Sequence, residues 1–118
     1  MLAREPENVL ALNNLAWTLS LDRKDTAKVQ ESLAHIQRAI DLAGPLDELL
    51  DTRARILFES GRHEAGLRDM CEAVAESPSA YRWLDYATML RRAGQAEQAE
   101  RALAQARRLG LGDAPMPR

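Results

Sequence analysis

A single cysteine, Cys71, leaves no partner for an internal disulfide, so nothing in the chain marks an oxidising compartment. Aromatic residues supply only 4% of the sequence against 46% hydrophobic residues in all. The apolar material is therefore mostly alanine and leucine, which favour helices. Five prolines and six glycines are few for 118 residues, and they fall between periodic segments rather than inside them. That pattern excludes a disordered chain. Charge of one sign is also missing. Sixteen basic and 18 acidic residues leave a net charge of −2, without the basic excess of a nucleic-acid binder. No apolar run is long enough to span a bilayer. Met1-Leu2-Ala3-Arg4-Glu5-Pro6 lacks the apolar stretch of a signal peptide. A cytoplasmic location is expected for this stretch of chain, with no membrane and no nucleic acid as partner.

What is present is a repeat. Pro6, Pro45 and Pro78 each precede a stretch with a helical apolar stripe. Leu12, Leu15, Ala16 and Leu19 form the first stripe. Leu50, Ala54 and Leu57 repeat three of those places with Arg53 in the fourth, and Trp83, Tyr86, Ala87 and Leu90 repeat all four. The second half of each unit recurs as Ser32/Ile36/Ala39, Gly66/Met70/Ala73 and Ala99/Leu103/Ala106. Ala39 to Ala73 is 34 residues, while Ala73 to Ala106 and Ala54 to Ala87 are each 33. A near-constant period with matching residue types signals a repeat architecture.

The small residues have a physical reason. Antiparallel helices approach closely only where side chains are short, and larger neighbours then fill the grooves. Gly61 and Gly94 fall where the first helix of a pair should stop. Ser77-Pro78 reads as an N-cap followed by proline at the first helical position. Ala43-Gly44-Pro45 closes one helix and opens the next. Six helices are expected at about 8–21, 26–42, 46–59, 63–76, 78–92 and 96–108. The fold class is all-α: a solenoid of three stacked antiparallel helix pairs, with repeats at 8–43, 46–77 and 78–109 in one domain spanning 1–112. Residues 113–118 are expected to be a disordered tail.

These residues resemble the tetratricopeptide repeat. Leu12-Asn13-Asn14-Leu15-Ala16-Trp17 is similar to the opening of many bacterial repeats of that family. Leu50-Asp51-Thr52-Arg53-Ala54 with Gly61-Arg62-His63-Glu64-Ala65 resembles the next, and Gly94-Gln95-Ala96-Glu97-Gln98-Ala99 matches that turn again. The resemblance covers roughly residues 6–111. It implies a right-handed superhelix whose first helices line a concave groove for a peptide or protein. The first repeat departs from the pattern: Ala16 to Ala39 is 23 residues, whereas Ala54 to Ala73 and Ala87 to Ala106 are both 19. The four extra residues, around Asp22–Lys28, predict a longer connection or an extra turn of the second helix. The last repeat is expected to expose apolar surface.

No constellation for chemistry emerges, so neither enzyme activity nor a cofactor nor a metal is expected. His35 and His63 lack the neighbours of a helical metal site and read as surface or partly packed. Cys71 reads as a buried structural thiol beside Met70. The implied groove would be lined by Asn13, Trp17 and Ser20, then Glu48, Asp51, Arg55 and Phe58, then Tyr81, Leu84, Thr88, Arg91 and Arg92. Trp17 reads as contact or as packing, and Phe58 as groove or core. The carboxylate clamp of chaperone-binding relatives is not expected, because both lysines lie within Asp22–Lys28. Aromatics and arginine are the residues of binding hot spots, and the Arg55/Arg91/Arg92 group predicts an acidic segment as partner. The function expected is a protein-interaction scaffold. Self-association through the open end, or a role as accessory domain of a larger enzyme or signalling protein, are the alternatives.

Overall fold

The computed structural model describes residues 6–111. Among these there are six α-helices and no strand: α1 (Pro6–Ser20), α2 (Thr26–Ala43), α3 (Asp47–Glu59), α4 (His63–Glu76), α5 (Ala80–Arg92) and α6 (Ala96–Ala106). A single π turn, Arg107–Leu111, follows α6. The tail expected to be disordered lies outside the described residues. Each odd-numbered helix packs most extensively on the next, giving three helical hairpins. The hairpins meet through α2 against α3, α4 against α5, and α1 against α3. Helical repeats stacked in chain order account for these contacts.

The small residues sit where the period places them. Ala16, Ala54, Ala87, Ser32 and Ala99 are fully buried. Gly66 shows why: a Cβ added there would lie 2.7 Å from the Ala54 carbonyl oxygen and 3.0 Å from the Phe58 nitrogen. At that crossing α4 lies directly on the α3 backbone. The buried residues form two clusters. The larger joins α3 to α6 and includes Leu50, Phe58, Met70, Leu84 and Leu103. The smaller joins α1 to α3 through Ala16, Val29, Ile36, Ala39, Leu49 and Ile56. Ile40 packs against both.

The second and third hairpins turn identically. Gly61 and Gly94 have φ of 96° and 84°. The Arg62 and Gln95 amides reach back to the Leu57 and Leu90 carbonyls at 2.9 Å each. This is a Schellman closure, in which glycine adopts the left-handed conformation at no steric cost. The first hairpin lacks that glycine. Its connection spans residues 21–25, against 60–62 and 93–95 in the others, and α2 starts 13 residues before Ala39 where α4 starts ten before Ala73. With α1 ending one residue sooner after Ala16 than α3 does after Ala54, the four extra residues divide between a longer connection and an added turn of α2, capped by Asp25 accepting from the Lys28 amide at 3.2 Å.

Three expectations need correction. The cap of α5 is Ser79, whose Oγ accepts from the Arg82 amide at 3.1 Å. Ser77 instead ends α4, its amide donating to Ala73. Cys71 is exposed, because the buried stripe of α4 runs through Met70 and Val74 and misses it. The last repeat exposes apolar surface only in part: α6 turns Ala99, Ala102, Leu103 and Ala106 inward, and Glu97, Gln98, Glu100 and Arg101 outward, while Tyr81 of α5 stays exposed. The π turn packs on α5 and α6, with Leu109 exposed. More of the exposed large apolar side chains belong to the first repeat, at Leu10, Leu15, Trp17 and Leu21.

Candidate binding groove

Helices α1, α3 and α5 share one face of the stack, and its two junctions differ in chemistry. On α3, Asp47, Asp51, Arg55 and Glu59 recur every four residues and form one stripe. α5 presents Arg82, Asp85 and Arg92 to that stripe. Arg82 donates to Asp47 at 2.8 Å and to Asp51 at 3.1 Å, and also to the Ser77 carbonyl. Arg55 donates to Asp51 at 2.7 Å and to Asp85. Arg92 grips Glu59 with both terminal nitrogens, at 2.7 and 3.2 Å. Partners across the junction are 30 to 35 residues apart, close to the repeat period. The ladder therefore joins equivalent helices of successive repeats.

Glu59 is held below the usual carboxylate range, first by the Arg92 hydrogen bonds and then by the charges of Arg92, Arg23 and His63. Arg92 and Arg55 are raised above their ordinary value. For Arg92 the Glu59 bond is the main cause. For Arg55 the attraction of Asp51 and Asp85 outweighs the opposing burial. Behind the ladder, Arg53 takes the place of an apolar stripe residue. It makes two hydrogen bonds to Asp69 of α4, at 2.7 and 3.0 Å, and one to Gln37 of α2 at 2.8 Å. The Asp69 bond raises the Arg53 pKa.

The ladder stops at α1. By the Ala16–Ala54 equivalence, Asp47, Asp51, Arg55 and Glu59 correspond to Val9, Asn13, Trp17 and Leu21. None of these is charged, and a channel runs along the α1–α3 junction instead. Its middle is a depression of about 430 Å³ lined by Asn13, Trp17, Glu48, Asp51, Arg55 and Arg82, with Thr52 on its wall. An apolar hollow of about 290 Å³ adjoins it, lined by Val9, Leu10, Leu46 and Leu49, and shares Asn13 and Glu48 with it. On the other side Trp17 and Arg55 are shared with a narrow cleft reaching Leu21 and Ile56.

Of the residues expected in the groove, the structure brings Asn13, Trp17, Glu48, Asp51 and Arg55 together. Trp17 is 41% exposed. The Asn13 Oδ1 is sheltered and has no hydrogen-bond partner. Phe58 is core: it is 2% exposed, stacked on His63 with ring centroids 4.3 Å apart, and covered by the Arg92 guanidinium 5.1 Å from its ring. Leu84 and Ser20 are buried too. The Ser20 hydroxyl donates to the Trp17 carbonyl at 2.7 Å. Thr88 donates back to Leu84 at 3.0 Å. Tyr81 is exposed outside the channel, and Arg91 faces Glu100 of α6 at 3.5 Å. Arg55, Arg91 and Arg92 are thus dispersed, each against a carboxylate.

Sequence reasoning missed Arg82 and Asp47 altogether. The signal available was the complementary charge order of two stripes one period apart: acid, acid, base, acid on α3, and base, acid, base on α5. No protein-family model matches the chain, and no curated protein matches it.

No three His, Cys, Asp or Glu side chains gather as a metal site would require among the described residues. No helix among them is long and apolar enough to cross a membrane. Tyr86 is pushed up to about 12, chiefly by burial and then by its contact with Cys71.

Proposed function

We propose that this chain is a tetratricopeptide-type interaction module that holds an extended segment of a partner protein in the α1–α3 channel. The observation that carries the reading is the continuity of that channel. An apolar hollow, the Asn13 amide with its oxygen unpartnered and an exposed indole at Trp17 follow one another along a single junction. Binding sites combine mostly apolar walls with a few placed polar groups in just this way, and an extended chain offers alternating side chains and backbone donors to match. The repeat period and the hairpins support the family reading. The module has no chemistry of its own under this proposal. It works by presenting a rigid surface.

The test is capture of partners by the wild-type chain and by Trp17→Ala and Leu10→Ser variants, all shown equally helical by circular dichroism. Partners held by wild type and lost by both variants are the expected result. Undiminished capture by both would move binding away from the channel. A second reading, self-association, is favoured by one observation: Leu15 lies exposed on the outer side of α1, beside a hollow lined by Ala11, Leu12 and Leu42. A mass in light scattering that rises with concentration, and is reduced by Leu15→Ser, would support it.

A further inference from the structure

The proposed partner segment was expected from the sequence to be acidic. The ion pairs argue for the opposite charge. Both arginines lining the central depression are already engaged: Asp47, Asp51 and Asp85 share Arg55 and Arg82 between them, three carboxylates to two guanidiniums, and Arg23 in the adjoining cleft faces Glu59 at 3.5 Å. An incoming carboxylate would have to compete with these. Glu48, in contrast, is exposed and makes no ion pair among the described residues. It stands where the apolar hollow meets the central depression. Asn13 lines the same boundary. The Trp17 indole completes the surroundings with a face that attracts cations.

We propose that the channel selects a segment in which an aliphatic residue stands beside a lysine or arginine. The aliphatic side chain enters the hollow of Val9, Leu10, Leu46 and Leu49. The neighbouring cation reaches the Glu48 carboxylate, with its stem against Trp17. This specificity rests on the reading of the channel as a peptide groove. It also goes beyond it, because a groove alone does not fix the sign of the ligand. A charge-assisted contact of this kind discriminates strongly where its partner is otherwise unpaired.

The probe is a displayed random heptapeptide library, panned against the intact chain at low salt. Enrichment of sequences with Leu, Ile or Val next to Lys or Arg is the expected outcome. A selected peptide should then lose about tenfold in affinity to Glu48→Gln, as removal of one charge-assisted bond predicts. It should lose more to Leu10→Ser, and its binding to wild type should weaken as salt rises. Peptides enriched in Asp or Glu would overturn the charge assignment while leaving the groove intact. So would peptides that bind Glu48→Gln as well as wild type but fail on Leu10→Ser. Selected peptides that bind both Trp17→Ala and Leu10→Ser undiminished, or a library that yields no enrichment, would overturn the groove reading together with the specificity.

Discussion

The two junctions on the α1/α3/α5 face do opposite things with the same geometry. Between α3 and α5 the facing side chains are charged and complementary, and they close on each other over Phe58. Between α1 and α3 the equivalent places hold Val9, Asn13, Trp17 and Leu21, and the junction stays open as a channel. The polar ties of the first junction lie elsewhere: Arg53 of α3 donates to Gln37 of α2 at 2.8 Å, and Arg23, just after α1, faces Glu59 at 3.5 Å. One junction commits its polar groups to internal contacts, and the other leaves Glu48 exposed and without an ion pair among the described residues. A repeat can therefore keep its packing stripe and still be closed at one junction and open at the next.

The comparison can be broken most strongly at the two aromatics. Phe58→Ala removes a fully packed ring from the closed junction and should cost about 3–5 kcal/mol. Trp17→Ala removes a half-exposed ring from the open one and should cost about 1–2 kcal/mol. Urea unfolding followed by circular dichroism measures both. Equal costs would mean that Trp17 is core. Next comes Arg53→Leu, which leaves the buried Asp69 unpaired and should cost about 3 kcal/mol. Replacing Arg53 and Asp69 together by leucine should recover most of that loss, because buried pairs exchange well for apolar residues.

How much of this was legible in the sequence depends on what periodicity can resolve. A 33-residue spacing of Ala54 and Ala87, or the step from Ala73 to Ala106, fixes helix order and the close crossings, since only small residues fit there. Gly61 and Gly94 fixed two turns because their closures require a positive φ. Rotation about a helix axis was less legible. Each residue turns 100°, so an error of one position carries Arg82 out of view and puts Tyr81 in its place. The same offset hid the exposure of Cys71 beside the buried Met70. Phe58 was ambiguous because it lies off the main stripe, and its burial joins the larger core to a cover of His63 and Arg92. Ser77 reads as a cap because proline follows it, yet the α4 end uses its backbone first. The pairing of Arg55 with Asp85 and of Arg82 with Asp47 is set by tertiary contact, which a single helix pattern does not contain.

Smaller effects sharpen the account. Arg82→Ala cuts two ladder contacts and the bond to the Ser77 carbonyl and should cost about 1–2 kcal/mol, with faster amide exchange in α5 than in α1. Equal acceleration in α1 would show that the ladder supports the whole stack. The smallest effect is in acid. The Glu59 carboxylate is depressed in the folded chain, so its contribution is complete above the ordinary carboxylate pKa and is lost as pH falls through the lower folded value. Unfolding midpoints should therefore fall as the pH drops below the ordinary carboxylate range of about 4, and fall less steeply in Glu59→Gln. Identical slopes would remove Glu59 from the ladder's working members.

The central claim is that the α1–α3 channel receives a partner while the α3–α5 junction does not. The chain carries two tryptophans, Trp17 in the channel and Trp83 packed against the larger core. Their indole N–H resonances give one reporter for each region. Titration of the ¹⁵N-labelled chain with a selected heptapeptide should shift the Trp17 indole progressively and leave Trp83 in place. A shift confined to Trp83, or a Trp17 resonance unmoved at saturation, would contradict the account.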